Sequence, residues 1–146
     1  MSVQLIETLG IKEASLVGLL NPPEGFYESL QPLPPRVEVF LRLEGRFDVV
    51  IAFCQTRLEL EEVFPKVHAS MRAHSVVWIG HPNPLTELSS DLNEDRGWVS
   101  LHRAGYKEGS VHKLNRLWSI REWRLAESLA HLGRSTIKPN TIKPKE

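Results

Sequence analysis

Eight polar side chains follow three short apolar runs, and their types are those that bind small polar ligands. The runs are residues 15–20, 47–54 and 75–80, whose composition is typical of parallel strands buried on both faces. The carboxyl ends of parallel strands lie at one edge of a sheet, so we expect the loops after these runs to be neighbours. Their carboxylates, amides, hydroxyl and imidazole could orient a small molecule. The candidate ligand-binding residues are Asn21, Glu24, Gln55, Thr56, His81, Asn83, Asp91 and Asn93.

The sequence has no recognisable motif for hydrolytic or metal chemistry. No serine stands in a Gly-x-Ser-x-Gly elbow, and the one cysteine, Cys54, is expected to pack as a small hydrophobe rather than to act as a thiolate near His81. The six histidines lack a paired spacing such as His-x-x-x-His. His81 with Asp91 and Glu94 is the one set that could gather a metal, but helix capping explains both carboxylates better. We therefore predict no metal and leave the catalytic residues unassigned.

Phosphate-binding glycine loops are also missing. Gly18 lies within the first apolar run and Gly25 follows two prolines, so neither the dinucleotide nor the nucleoside-triphosphate fingerprint is present. Pro22 and Pro23 have no N–H group to donate to a phosphate. This argues against binding of a nucleotide through its phosphates.

Composition excludes several broad classes of protein. Lys plus Arg and Asp plus Glu are both 18, so no overall charge attracts nucleic acid or an anionic membrane. No apolar run approaches the length of a membrane span, and the first residues do not have the pattern of a secretion signal. We expect a cytoplasmic protein whose partner is a small molecule or another protein. An exposed sheet edge would also allow a homodimer.

Strands and helices are expected to alternate along the chain. The segment 3–12 predicts a short lead-in helix with Gly10 as its C-terminal cap, and a half-exposed strand is expected over residues 36–43. Thr56 with Glu59 forms a capping-box pattern, so a helix should begin there and be divided by Pro65.

The second half should hold one more helix and a final pair of strands. Asp91 with Glu94 predicts a helix that runs to Gly105. Residues 110–114 and 117–125 predict two antiparallel strands. Because Ile120 and Trp123 fall on opposite phases, a bulge is expected near Arg121. The Lys- and Pro-rich residues 134–146 are expected to be disordered.

The layout "LGIKEASLVGLLN…EGRFDVVIAF…SMRAHSVVWIGHP" resembles the Rossmann-like methyltransferases. The resemblance implies a single three-layer α/β domain over residues 1–133, with a mostly parallel sheet and a C-terminal antiparallel strand pair. It also makes S-adenosylmethionine a cofactor to consider. In that family a Gly-rich loop after the first strand and an acidic residue after the second hold this cofactor. Here "LNPPEGF" replaces the loop, and Glu44 is the one weak candidate for the acidic residue.

The segment "NPPEGF" also resembles the Asn-Pro-Pro-aromatic signature of amino-group methyltransferases. That signature belongs to a later strand, and its fourth position is Glu24 here, so a catalytic role is not expected. The segments "LLNPPEGFYESL", "FDVVIAFCQTRLELEEVFP", "TELSSDLNED" and "LWSI" together resemble a family of small bacterial proteins of unknown function with shortened methyltransferase-like domains. No reaction is implied by that resemblance.

Three hypotheses of function follow. The favoured one is a domain that binds a ligand or partner without methyl transfer. The alternative is an atypical S-adenosylmethionine-dependent methyltransferase, with Asn21 near the substrate and the 55–56 and 81–83 loops around the cofactor. A regulatory or scaffold protein that uses its Lys-Pro tail is the third.

Overall fold

The computed structural model describes residues 2–126, which form a six-stranded sheet with helices on both faces. The strand order is β2-β1-β3-β4-β6-β5. The first four strands in this order are parallel, and β6 pairs antiparallel with both β4 and β5. The expected α/β architecture, mostly parallel with a terminal antiparallel pair, is confirmed. The elements are α1 (Ser2–Leu9), β1 (Leu16–Leu20), α2 (Phe26–Ser29), β2 (Glu38–Phe40), β3 (Phe47–Phe53), α3 (Arg57–Ala69), β4 (Met71–Pro82), α4 (Val99–Arg103), β5 (Tyr106–Lys113) and β6 (Trp118–Leu125).

The strand order changes direction at β1, which makes this strand a topological switch point. The chain runs from β1 outward to β2, then returns to place β3 on the other side of β1. Such a switch point separates the loops on its two sides and leaves a crevice at the carboxyl ends of the strands. Residues 21–25 after β1 and 54–56 after β3 flank this crevice. The loops after β1 and β3 therefore lie at the carboxyl edge of the parallel strands, as the sequence predicted.

Two hydrophobic cores cover the two faces of the sheet. On the face covered by α1, Val49, Ile51 and Phe53 pack with Leu9 and Trp78. On the other face, covered by α3, the intervening residues Val50, Ala52 and Cys54 pack with apolar residues of that helix. Because successive side chains of a strand point to opposite faces, burial on both sides requires an unbroken apolar run, which β3 has from Val49 to Phe53.

The start of α3 agrees with its sequence pattern, whereas its expected division does not occur. Thr56 accepts a hydrogen bond from the backbone N–H of Glu59 at 3.1 Å, and the Glu59 carboxylate accepts one from the N–H of Gln55 at 2.6 Å. The helix continues through Pro65 to Ala69, so the predicted break is wrong. Leu60 and Val67, on either side of Pro65, are both fully buried. Packing of both halves against the sheet outweighs the loss of one hydrogen bond.

The prediction that a helix begins at Asp91 is wrong. Helix α4 spans Val99–Arg103, and an isolated bridge between Asn93 and Arg96 occupies part of the preceding segment. The Asn93 side chain accepts the N–H of Asp95, a local turn that competes with helix. Gly105, with φ of 94°, does follow the helix as expected.

The bulge predicted near Arg121 is also wrong. Strand β6 pairs regularly with β4 from Trp118 to Trp123, and the register shift lies in β5 between Glu108 and Val111. Ile120 belongs to the α1-side core and Trp123 to the α3-side core. Ile120 and Trp123 therefore point to opposite faces of β6 because both faces are buried, and no bulge is needed to explain their spacing.

The expected tail, residues 134–146, and the boundary at residue 133 lie outside the described residues. Among the helices within residues 2–126, none has the length and apolar character needed to cross a membrane.

Candidate functional site

The turn after β1 lies at the switch point and leaves its side chains free. Asn21 has φ of 56° and Gly25 has φ of 87°, so both ends of the turn use the left-handed region. Asn21 and Glu24 are exposed, and within residues 2–126 neither side chain has a hydrogen-bond partner. Gly25 then leads into the four-residue helix α2, whose first residue, Phe26, is buried. The turn thus presents an amide and a carboxylate beside an anchored ring.

A cavity of about 590 Å³ opens beside this turn. One wall is α1, a second is the turn with α2, and a third is the end of β5 with the residues that follow it. The walls combine apolar surface with amides, hydroxyls, one carboxylate, one ammonium and one imidazole. The lining residues are Gln4, Leu5, Thr8, Pro23, Glu24, Gly25, Phe26, Ser29, His112, Lys113, Leu114 and Asn115.

A series of aromatic contacts connects Phe26, which lines the cavity, to the sheet. Phe26 packs edge-on against Phe53 with ring centres 4.8 Å apart, and Phe53 packs in the same way against Trp118 at 5.3 Å. These rings come from α2, β3 and β6. The position of the turn after β1 is therefore coupled to the centre of the sheet.

Asn83 holds the third wall of the cavity in place. Its side-chain amide donates to the carbonyl oxygens of Asn115 and Arg116 at 2.9 and 2.8 Å, and its oxygen accepts from the Ser119 hydroxyl at 2.5 Å. Its backbone N–H also donates to the Leu117 carbonyl at 2.8 Å. Asn83 is buried, and its polar groups are occupied by the β5–β6 turn.

An exposed ion pair ties the same turn to the loop after β4. Arg116 donates to both carboxylate oxygens of Glu87, at 3.0 and 2.7 Å. The hydrogen bond from Arg116 lowers the pKa of Glu87 to about 2. The pair therefore remains ionised throughout the neutral range.

Gln55, Thr56 and Asp91 do meet, but at the start of α3. Asp91 accepts the backbone N–H of Arg57 at 2.9 Å, while Thr56 caps the same helix. The Ser90 hydroxyl donates to the Gln55 carbonyl. The loops after β3 and β4 are thus neighbours, as expected. The Thr56 and Asp91 side chains accept hydrogen bonds from backbone N–H groups at the start of α3.

His81 lies within β4 rather than in the loop after it, and Asn93 belongs to that loop. His81 is 1% exposed, and its ring packs edge-on against Trp98 with centres 5.7 Å apart. The indole N–H of Trp98 donates to the Asn93 carbonyl at 2.7 Å. Burial lowers the pKa of His81, and nearby Arg121 lowers it further, while Pro82 and Glu94 act in the opposite direction. His81 is therefore a neutral residue of the core.

Cys54 is fully buried at the end of β3. Burial, with a smaller contribution from the charge of Glu59, raises the pKa of its thiol to about 12. This protonated thiol fits the expected packing role. Within the part of the chain that the structure describes, no group of His, Cys, Asp and Glu could hold a metal ion.

Of the eight candidate residues, Glu24 lines the cavity, and Asn21 begins the turn that forms one of its walls without lining it. The sequence interpretation missed the contributions of α1 and of His112, Lys113 and Asn115. The last three could have been found, because the antiparallel pair returns the β5–β6 turn to the carboxyl edge of the sheet. Nothing in the sequence places α1 against that edge, since its packing is a tertiary contact.

Comparison with solved structures identifies the fold. A crystal structure of a SAM-dependent methyltransferase from Aquifex aeolicus aligns with 84% of this chain and 88% of its own, with a TM-score of 0.56 and 13% identity. DhpI in complex with SAH aligns with 85% of this chain and 82% of its own, with a TM-score of 0.57 and 12% identity. The fold is that of the methyltransferases.

A further neighbour with this methyltransferase fold is the ribosomal protein L11 methylase from Lactobacillus delbrueckii subsp. bulgaricus. It aligns with 84% of this chain and 76% of its own, with a TM-score of 0.52 and 11% identity. No family model matches the sequence, and no curated protein matches it. At these identities the similarity establishes the methyltransferase fold alone.

Proposed function

We propose that this protein binds a small polar ligand in the cavity beside α1 and does not transfer methyl groups. The observation that carries the proposal is the cavity itself, about 590 Å³ between α1, the turn after β1 and the end of β5. Ligand sites of small molecules have volumes of roughly 300–1,000 Å³ and combine apolar walls with a few polar groups. The lining has this composition, and its turn comes from the switch point of the sheet, where α/β folds bind ligands.

The residues around the switch point do not fit S-adenosylmethionine. Pro22 and Pro23 offer no N–H groups in the turn where the family has its glycine loop, and the following helix has four residues. Strand β2 ends at Phe40, and Glu44, four positions beyond it, pairs with Arg42 at 3.4 Å on the exposed surface. Gly18 lies inside β1, packed against Leu43 and Phe47. These features support loss of the cofactor from an otherwise retained fold.

A cavity-filling variant tests the proposed site. Thr8 lines the cavity on α1, whereas its neighbour Glu7 is exposed and does not. A library of small polar compounds would be titrated into isotopically labelled protein and followed by NMR. Chemical-shift changes should cluster at the α1, turn and β5 walls in the wild type and in Glu7→Trp. Thr8→Trp should lose them, because its indole occupies the cavity.

Two results, from this titration and from a separate transfer assay, would contradict the proposal. Shift changes that persist in Thr8→Trp would move the ligand site elsewhere. Radiolabel transfer from S-adenosylmethionine to protein, nucleic acid or small-molecule acceptors would overturn the claim that methyl transfer is absent.

The second candidate function is an atypical methyltransferase. The similarity of fold to DhpI, solved as an SAH complex, is the observation that favours it. It requires S-adenosylmethionine and SAH to raise the melting temperature of the protein and to compete with each other. It also requires Asn21→Ala to abolish transfer, because Asn21 would lie near the substrate. An unchanged melting temperature with both compounds would eliminate this candidate.

A further inference from the structure

We propose that the ligand of this cavity is a zwitterion that carries an ammonium group and a carboxylate several ångströms apart. The proposal rests on the proposed function, since it names the chemical class bound at the same site. Its evidence is the distribution of charge over the cavity walls.

The cavity lining contains one carboxylate and one ammonium, and they come from different walls. Glu24 belongs to the turn after β1, and Lys113 is the last residue of β5. Ion pairs join many charged residues elsewhere, but within residues 2–126 neither Glu24 nor Lys113 takes part in one. Two opposite charges therefore border one cavity without neutralising each other.

A ligand with a single charge would meet one attractive and one repulsive group. An anion near Lys113 is also within the field of Glu24, and a cation near Glu24 is within the field of Lys113. A zwitterion places each of its charges beside the opposite charge of the wall, which is the arrangement that electrostatic complementarity favours. The neutral polar residues of the lining, among them Gln4 and Ser29, can accept or donate hydrogen bonds to either group.

Apolar surface lies in the lining together with the two charges. Leu5 of α1, the Phe26 ring and Leu114 contribute this surface, and Phe26 is fixed by its contact with Phe53. His112 is oriented by a 3.1 Å contact between its Nε2 and the Ser110 hydroxyl and by packing against Trp78. Such walls favour a hydrocarbon segment between the charged ends of the ligand. The cavity also exceeds the volume of the smallest amino acids, so a longer molecule should fill it better.

A homologous series of ω-amino acids tests directly whether the cavity binds a zwitterion and which distance between its charges it prefers. Compounds from glycine to aminooctanoic acid would be titrated by calorimetry and NMR, each beside its N-acetyl and carboxamide analogues, which lack one charge. We expect affinity to pass through a maximum at an intermediate or long chain. Each singly charged analogue of the best compound should bind at least about tenfold more weakly.

Removing the charge of Glu24 or of Lys113 should remove the preference of the cavity for the opposite charge on the ligand. Glu24→Gln should bring the N-acetyl analogue to within about twofold of the amino acid, and Lys113→Gln should do the same for the carboxamide. Glu28→Gln and Lys66→Gln alter exposed charges outside the lining and should leave both preferences unchanged.

The outcomes separate the two proposals. If singly charged or neutral analogues bind the wild type as tightly as the zwitterion, and Thr8→Trp abolishes that binding, the site stands and the zwitterion is wrong. If no compound of any charge shows binding sensitive to Thr8→Trp, the proposed function fails and this inference fails with it.

Discussion

At the scale of single residues, three buried polar atoms have no hydrogen-bond partner within residues 2–126. They are His81 Nε2, Arg121 Nε and Trp123 Nε1. Trp98 links them, because its ring packs against His81 and lies 5.1 Å from that of Trp123, and the Arg121 guanidinium lies 6.0 Å from the Trp123 ring. An unsatisfied buried polar atom costs about 1–3 kcal/mol. The loop after β4 thus covers a part of the core that is less stable than it could be.

The lowered pKa of His81 predicts a pH-dependent stability. Between its lowered folded pKa and the ordinary value of 6.5, the unfolded chain binds a proton that the folded chain does not. The free energy of unfolding should therefore fall as the pH drops below about 6.5, and the fall should end once the folded pKa is passed. Urea denaturation between pH 5 and 8 would measure it.

Replacing His81 should remove this dependence. In His81→Phe, the decrease in the free energy of unfolding that His81 causes at acidic pH should vanish. Stability at neutral pH should stay within about 1 kcal/mol of the wild type, since the substitution removes both the unpaired Nε2 and the weak hydrogen bond of Nδ1. His74, whose side chain is 71% exposed, provides the control His74→Gln. An unchanged acid-side slope in His81→Phe would show that other groups cause it.

At the scale of elements, helix α3 tolerates a proline at a measurable cost. Pro65 is exposed, so Pro65→Ala leaves the core side chains in place. It restores one backbone hydrogen bond and removes the clash of the ring with the preceding turn, which together cost about 3 kcal/mol in a helix interior. The greater freedom of the unfolded chain opposes this by about 0.4–1 kcal/mol.

Pro65→Ala should therefore stabilise the protein by about 2 kcal/mol. Chemical denaturation, with helix content followed by circular dichroism, would measure the change. Lys66→Ala, at the adjacent exposed position, should change stability by less than about 0.5 kcal/mol. A destabilised Pro65→Ala would mean that the helix is distorted at this point and that the ring fits the distortion.

The β5–β6 turn depends on the side chain of Asn83, the residue that follows β4. Asn83 makes three side-chain hydrogen bonds to this turn and to β6. Net contributions of about 0.5–1.5 kcal/mol each predict that Asn83→Ala loses about 2–4 kcal/mol. Because the turn forms a wall of the cavity, ligand affinity should fall as well.

The exposed Glu87–Arg116 pair is the matched control for Asn83. Glu87→Gln touches the same turn, but exposed pairs contribute little, so stability should change by less than about 1 kcal/mol. Thermal unfolding of both variants, with and without an ω-amino acid, would separate the two effects. Equal losses in the two variants would contradict the central role given to Asn83.

At the scale of the whole molecule, aromatic packing connects the candidate site to the sheet. Phe53 of β3 contacts Phe26 beneath the cavity and Trp118 at the start of β6. Gly80 of β4 faces the Phe53 ring so closely that an added Cβ would overlap it. The absence of a side chain at Gly80 is thus what lets this ring lie across the strands.

Gly80→Ala should destabilise the protein by about 1–3 kcal/mol, because the Phe53 ring must move and strain its neighbours. Calorimetry should show a lower melting temperature. Adding Phe53→Leu makes room for the methyl group, so the double variant should be more stable than the sum of the two single changes predicts. Strict additivity would show that the two positions do not interact.

Much of the fold could be predicted because burial leaves a strong pattern in the sequence. The run from Val49 to Phe53 is apolar throughout since both of its faces are covered, and Thr56 with Glu59 marks the start of α3 through local hydrogen bonds. The predictions failed where a tertiary contact outweighed a local sequence pattern. Asp91 resembles a helix cap, yet it caps α3 from a distant loop.

The pattern of apolar residues, the end of β1 at Leu20 and the Pro-Pro turn after it could all be read from the sequence. Those properties are local, being set by periodicity, by missing N–H groups and by side-chain chemistry. Contacts across the fold complete a cavity from α1, the end of β5 and Glu24, bury His81 in the core, and bind the Asn83 side chain to the β5–β6 turn. These outcomes depend on contacts between residues far apart in the chain, because packing density and hydrogen-bond satisfaction are properties of the whole fold.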